Sequence, residues 1–437
     1  MKKRVLIITY YWPPSGGIGV HRCLKFAKYL RNYGWEPVIC APDNPEYPIL
    51  DYGNFKDVPE GVTTIKTKIW EPYSIFKMIA GKKKEERIHN VFLEEEKAGF
   101  ATKLGIWIRG NLFIPDARRF WIKPAVQYLT KYLKTHPVDA MFTNGPPHST
   151  HMIAYGVKRN LNIPWHADFQ DPWTQVDYFP QLMLNPVSKK IHENMEQRIF
   201  KYADKVTICS DSWKRDLESI GAKDVDVIVW GYDEEDFEDI PHTLSEKFTL
   251  SHFGSLGPDR NASTLWKVLA EISDGNPQFK KDLEIELVGF IGHAVLNEIE
   301  KLGLNENLTK LNHIPRSETL VKMCASQALL LILNDMPNVN GRLPGKLFEY
   351  LASRRPVIVI GPEESDASKI IYGANAGIAC GFRDYEKTKE TVLNLYNKFK
   401  KEGLAYNKTP ISHYSNLNLT GKLASYLDRI SVKDKKV

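Results

Sequence analysis

Cysteine is scarce in this chain, with five among 437 residues. Cys23, Cys40, Cys209, Cys324 and Cys380 are scattered, odd in number and show no Cys-x-x-Cys pair. That argues against a disulfide framework or a zinc site and fits reduced thiols in a cytosol. Long hydrophobic runs are missing as well. Stretches such as Ala328 to Leu333 fall far short of the roughly 20 apolar residues a membrane-spanning helix needs. No secretory leader is expected: Met1-Lys2-Lys3-Arg4 is basic, but the apolar run behind it breaks at Pro13-Pro14. The chain also lacks a strong excess of one charge. A formal net charge of +6 tolerates an anionic substrate or a negative membrane surface and falls short of a nucleic-acid binder. Short-period repeats and low-complexity tracts are absent.

What remains is an ordinary globular composition, 43% hydrophobic and 26% charged. The length exceeds what one core serves, so two domains of roughly 200 residues are expected. Strand-like and helix-like segments alternate. Val5–Thr9, Pro37–Cys40, Ala140–Thr143, Trp165–Phe169, Lys205–Cys209 and Val227–Trp230 read as strands. Between them His21–Tyr33, Lys123–Lys134, Ser149–Asn160 and Ile191–Tyr202 read as helices, with a further one capped by Ser210. An acidic stretch, Asp233 to Asp239 followed by Pro241, reads as a linker. A second series follows, with strands Thr249–Phe253, Ile285–Val288, Leu329–Leu333 and Val357–Ile360. Its helices are Thr264–Ile272, Ala294–Lys301, Ser317–Cys324 and Lys346–Ala352. Repeated β-α-β units with short connections predict parallel, doubly wound sheets. The fold class expected is α/β, with two Rossmann-like domains facing across a cleft and ligands at the carboxyl ends of the strands.

Residues 73–120 depart from the alternation and mix Lys and Arg with Ile, Phe and Trp. They read either as an interfacial segment reaching a lipid-linked partner or as a solvated insertion, and Glu94-Glu95-Glu96 would oppose anionic lipid.

Three clusters carry chemistry. Ser15-Gly16-Gly17-Ile18-Gly19 follows the first strand, where glycine lets backbone N–H groups approach an anion. The spacing is not G-x-G-x-x-G, and Asp43 stands past a proline, so a dinucleotide site is a weak reading and a ligand-free turn a plain one. In the second cluster, Asn144, His148 and His151 are expected beyond one strand, and His166, Asp168 and Asp171 on and beyond the next. Neighbouring strand ends would bring them to one rim; each alone could also be a turn or cap. No metal spacing appears among them. In the third cluster, Phe253 to Asn261 again runs strand, glycine turn, then Arg260. Later, Pro344 suits a first helical position, and Lys346 and Glu349 share a helix face. Arg342 and Lys346 would make an anion pocket, with Glu349 accepting from vicinal hydroxyls. A nucleoside diphosphate needs that combination. An ordinary helix with an i,i+3 ion pair is the alternative.

Together these clusters resemble the retaining glycosyltransferases of family 4, which have the GT-B fold, and especially bacterial surface-polysaccharide members. The matching stretches are Pro13-Pro14-Ser15-Gly16-Gly17-Ile18-Gly19, Pro146-Pro147-His148-Ser149 and Asp168-Phe169-Gln170-Asp171-Pro172-Trp173. Gly231-Tyr232-Asp233 and Pro344-Gly345-Lys346-Leu347-Phe348-Glu349-Tyr350-Leu351-Ala352 complete the set. The resemblance implies a nucleotide-sugar donor as substrate, with Glu349 on the ribose, Arg260 and Lys346 on the diphosphate, and Gly16 and Gly17 closing on it. It implies a glycan or polyprenyl-linked acceptor, with His148, Asp168 and Asp171 as candidates to orient its hydroxyl. No metal or other cofactor and no nucleic-acid partner is expected; the setting implied is cytoplasmic, at the inner face of the cell membrane. Residues 1–235 would form the acceptor domain, 236–247 the linker, 248–410 the donor domain and 411–437 a helix crossing back. The sequence departs from the family where Gly341 replaces the first of two glutamates, and where Ser255 and Asn261 replace an Arg and a Lys. Arg342 is expected to compensate. A nucleotide-sugar epimerase of the same fold and a non-catalytic sugar-nucleotide-binding protein are the rivals.

Overall fold

The computed structural model describes residues 2–71, 100–241 and 243–433. The Glu94-Glu95-Glu96 part of the basic insertion lies outside them. The chain divides into two compact units, Met1–Val229 with Asn416–Val437, and Trp230–Ser415.

In the first unit, β1 (Lys3–Ile8), β2 (Trp35–Asp43), β3 (Thr63–Lys68), β4 (Ala140–Gly145), β5 (Trp165–Phe169), β6 (Lys205–Ile208) and β7 (Val225–Val227) form one sheet. Its order is β3-β2-β1-β4-β5-β6-β7, with parallel pairs throughout. Its helices are α1 (Ile18–Tyr29), α2 (Phe100–Leu112), α3 (Arg119–Tyr132), α4 (Ser149–Leu161), α5 (Pro186–Tyr202) and α6 (Asp211–Ser219). In the second unit, β8 (Phe248–Phe253), β9 (Leu283–Val288), β10 (Leu308–Leu311), β11 (Ala328–Ile332), β12 (Val357–Ile360) and β13 (Gly377–Cys380) take the order β10-β9-β8-β11-β12-β13. The helices there are α7 (Ser263–Gly275), α8 (Pro277–Asp282), α9 (His293–Lys301), α10 (Arg316–Ala325), α11 (Lys346–Ala352), α12 (Asp366–Gly373) and α13 (Tyr385–Glu402). The last helix, α14 (Asn416–Lys433), belongs to the first unit.

Both sheets are therefore parallel and doubly wound, as the alternation predicts. The strand order reverses between β1 and β4 in one unit and between β8 and β11 in the other. These are the switch points at which α/β sheets bind ligands, and each is followed by one of the glycine turns.

Local chemistry explains the elements. The central strands are apolar on both faces: Val5 to Ile8 and Leu329 to Leu331 are fully buried. Each such side chain contributes about 1.5–3 kcal/mol on leaving water. Ser210 accepts from the Trp213 N–H and starts α6, the cap its sequence position suggests. Along α14, Leu419, Leu423, Tyr426 and Leu427 recur at helical spacing and join the core built on Val5, Ile7 and Phe142. All five cysteines are buried free thiols.

Two expectations shift. The strand foreseen at Val227–Trp230 is Val225–Val227, because the Ile228 and Val229 carbonyls turn to accept from Arg22 at 2.7 and 2.9 Å. Pro344 is not the first helical residue; α11 starts at Lys346, and the Leu347 N–H donates to the Pro344 carbonyl.

Candidate functional site

The second unit's switch point brings charged side chains of separate elements together. β8 delivers His252 into its own core and then turns at Gly254. His252 is fully buried; its Nδ1 donates to the Leu330 carbonyl at 2.9 Å, which leaves Nε2 as an acceptor. The Lys346 ammonium, from the first position of α11, lies 3.2 Å from that nitrogen. Gly254 permits the approach: its φ is +116°, and an added Cβ would stand 2.8 Å from the Lys346 Nζ. Burial pulls Lys346 down to about 7, the Arg260 charge adds to the effect, and Glu349 opposes it. Burial, with Lys346 next to it, holds His252 well below the ordinary imidazole range, so it stays neutral. The result is a site short of negative charge, with a lysine poised to gain a proton when an anion arrives.

Glu349, one turn along α11, is 20% exposed at its side chain. Its Oε1 accepts from the Arg316 Nη1 at 2.5 Å. Arg316 opens α10 and also donates from Nη2 to Asp236 Oδ2 at 3.0 Å. Arg260 donates to the neighbouring Asp259 at 3.3 Å, and Asn334 holds the same Asp259 oxygen at 2.8 Å. Arg342 ends the short turn Val339–Gly341, with Gly341 buried where the family resemblance calls for a glutamate. Lys346, Arg260 and Glu349 are thus brought into one electrostatic group.

In the first unit the glycine loop is pinned to the Ile49–Asp51 segment. The Gly16 N–H donates to the Ile49 carbonyl at 2.8 Å and the Asp51 N–H to the Pro14 carbonyl at 2.8 Å. A Cβ on Gly16 would stand 2.7 Å from the Ile49 Cγ2, so glycine is needed here for packing. Gly17, at φ +77°, is the residue before α1. Gly16 therefore spends its donor within the fold.

The polar cluster of β4 and β5 splits between the two faces of the sheet, because successive side chains alternate. On the α1 face, Asp168 is fully buried and accepts from Arg22 Nε at 2.6 Å and Nη2 at 2.8 Å. Asn144 at 2.8 Å and Thr207 at 2.7 Å complete its shell. Burial by itself would push this carboxyl up; the Arg22 charge and the hydrogen bonds outweigh it and hold it below the usual range. As placed, Asp168 braces Arg22 and Asn144. Its neighbour on that face, His166, contacts Thr207 at 2.8 Å, and burial lowers it to about 4. On the α4 face, His148 stacks on Trp173 with centroids 4.4 Å apart. His151 contacts the Thr143 hydroxyl at 2.8 Å. Burial keeps both imidazoles neutral, His151 at about 3. His148 Nδ1 and His151 Nε2 have no hydrogen-bond partner among the described residues. Asp171 lies in the partly exposed turn after β5.

Two residues behind that turn had no counterpart in the sequence reading. The Trp173 Nε1 donates to His192 Nδ1 at 3.0 Å, and the Thr174 hydroxyl to Glu196 at 2.5 Å. His192 and Glu196 lie four apart on α5. Burial raises Glu196 to about 7, against the Thr174 hydrogen bonds. His252, Arg316 and Arg22 were missed likewise. The one available signal was His252 itself, an imidazole two positions before a glycine turn, in a strand whose other polar residues are the small hydroxyls Thr249 and Ser251. Among the described residues no three His, Cys, Asp or Glu side chains are grouped to hold a metal ion.

No family model and no curated protein matches the chain. Solved structures do. HepE of Anabaena, solved with UDP and glucose, is 14% identical with a TM-score of 0.61, covering 98% of this chain and 100% of its own. Sucrose-phosphate synthase of Thermosynechococcus elongatus is 12% identical with a TM-score of 0.57, covering 99% and 98%. A Listeria monocytogenes protein described as a UDP-N-acetylglucosamine 2-epimerase is 10% identical with a TM-score of 0.55, covering 100% and 98%. At such identities the likeness establishes the fold: an α/β chain of two Rossmann-like units, the GT-B architecture.

Proposed function

We propose that this GT-B chain is a retaining glycosyltransferase of the family 4 type, moving a sugar from a nucleotide donor to a glycan or polyprenyl-linked acceptor in surface-polysaccharide or lipopolysaccharide synthesis. The observation that carries the reading is the enclosed Lys346 ammonium at the β8 switch point, against neutral His252, within the field of Arg260, and one turn from Glu349. Cations beside a carboxylate suit a diphosphate joined to a ribose. HepE, of the same fold, was solved with UDP and glucose.

Departure of a nucleoside diphosphate develops negative charge on the bridging oxygen. Lys346 and Arg260 stabilise that charge in place of a metal ion, the role in which one preorganised donor is worth about 2.7–4 kcal/mol of barrier. Glu349 accepts the ribose hydroxyls. In the first unit, Asp171 and His148 orient the acceptor hydroxyl, with Asp168 fixing the strand end beneath them. Exposed Leu104, Trp107 and Leu112 on α2, with Lys103 and Arg109 on the same helix, support a peripheral contact with the cytoplasmic membrane face. Among the described residues no helix is long and apolar enough to cross a membrane.

Thermal shift against UDP-, GDP-, ADP- and CMP-sugars tests the donor class; a hundredfold excess over Kd stabilises by about 2.7 kcal/mol. Binding of a UDP-, GDP- or ADP-sugar, with nucleoside diphosphate released when acceptor is added, is the expected result; a CMP-sugar, which carries a single phosphate, serves as the control. Absence of any nucleotide-sugar binding would refute the reading. The Listeria neighbour favours a second one, epimerisation of the nucleotide-sugar; that enzyme would convert its donor with no acceptor present.

A further inference from the structure

We propose that Arg316 and Asp236 form a positioning pair for Glu349, the carboxylate that accepts from the ribose, an inference that rests on the nucleotide-sugar reading above. The Arg316 guanidinium spans two carboxylates from separate elements: Glu349 of α11, and Asp236 of the short turn Glu234–Asp236. Asp236 is 6% exposed at its side chain and Arg316 31%. Glu349 and Asp236 together hold Arg316 charged against the effect of burial. A guanidinium is planar and rigid, so two anchored nitrogens fix its plane, and through it the carboxylate it grips.

The division of lone pairs is what makes this a device for recognition. Arg316 engages Glu349 at Oε1, and no described residue hydrogen-bonds Oε2. An unbraced glutamate on a helix surface samples several rotamers and would lose that freedom on binding. Held through Oε1, Glu349 presents Oε2 in one place, and the ordering cost falls before the ligand arrives. The guanidinium also offsets the repulsion between this carboxylate and a neighbouring pyrophosphate. Asp236 keeps Arg316 from swinging to the pyrophosphate, where its charge would be attractive but would leave Glu349 loose. The chemical feature selected is the ribose hydroxyl pair, and so a ribonucleotide over its 2′-deoxy form.

The test uses the full chain and calorimetry with uridine, guanosine, adenosine and cytidine diphosphates and their 2′-deoxy counterparts. The unsubstituted protein should prefer its ribonucleotide about tenfold, the worth of one charge-assisted hydrogen bond. Asp236→Asn and Arg316→Lys should each weaken the ribonucleotide about tenfold, leave the deoxynucleotide unchanged and so erase the preference. Glu349→Gln should do the same, and adding Asp236→Asn to it should cost nothing more. Equal weakening of both ligands, or a preference that survives, would reduce the pair to structural bracing and overturn the proposal. Should Asp236→Asn fail to fold, Arg316→Lys decides alone. A protein that binds no diphosphate at all overturns the nucleotide reading, and this proposal falls with it. One that binds through Lys346 without any ribose preference overturns the positioning pair only.

Discussion

Lys346 should make donor binding depend on pH in a way that a permanently charged residue cannot. Its ammonium is pulled from an ordinary 10.5 to about 7 by burial, with Arg260 second. Below pH 7 the free protein already carries the charge and binds a pyrophosphate directly. Above it the amine is neutral and must take up a proton on binding, because the ligand's negative charge raises its pKa. Affinity should therefore fall tenfold per pH unit, until the pH reaches the pKa of the complex. From pH 7 to pH 9 that is about a hundredfold, or about 2.7 kcal/mol at 1.36 kcal/mol per unit. A nucleotide-sugar is the right ligand, since its doubly esterified pyrophosphate does not titrate near neutrality. His252 does not contribute, being neutral throughout this window. The assay is calorimetry at half-unit intervals, repeated with Lys346→Arg. The guanidinium stays protonated and should give a flat profile. A flat profile in the unsubstituted protein, or an unchanged slope in Lys346→Arg, would refute the reasoning. Ligand-free stability checks the sign. The unfolded chain binds this proton up to its ordinary pKa and the folded one does not, so stability should rise with pH between about 7 and 10.

Three further outcomes are expected. Asp168→Asn removes the buried carboxylate that grips the Arg22 guanidinium, itself 2% exposed; denaturant unfolding should show a loss of about 3–5 kcal/mol, and a loss under about 1 would refute the buried-pair account. Glu196 has a folded pKa of about 7, above its ordinary 4.5, so the folded state keeps a proton that the unfolded state sheds. Stability should fall by on the order of 3 kcal/mol as pH rises through that window, and Glu196→Gln should flatten the curve. Arg342→Ala should weaken the nucleotide-sugar about tenfold if Arg342 compensates for Gly341; calorimetry showing unchanged affinity would end that idea.

Much of the fold was legible because central strands of a parallel sheet are apolar on both faces. Trp165–Phe169 and Val357–Ile360 were bounded correctly from sequence, and the order of glycine turns marked both switch points. The strands that escaped notice were β3, β10 and β13, and all three are sheet edges. An edge strand pairs on one side only and tolerates exposure: Thr63 to Lys68 alternates exposed and buried, and Leu308 to Leu311 is nowhere fully buried. Their hydrophobic signal is too weak to stand out.

The site divides along the same line. The types and spacing of Gly254, Arg260, Lys346 and Glu349 were readable along the chain, since a glycine turn and an i,i+3 helix pair are local features. Local sequence therefore determined the two doubly wound sheets, where their strands end, and which charged residues stand at those ends. Only tertiary structure decided that Asp168 and His148 lie on opposite faces of one sheet, that Gly16 uses its N–H on Ile49, and that His252 faces Lys346. It alone joined Arg316 to Glu349, 33 positions away, and to Asp236, 80 positions away. Periodicity reports how a residue relates to its neighbours within a turn or two. The partner of a buried charge is set by how strands stack, and nothing within that short range encodes it.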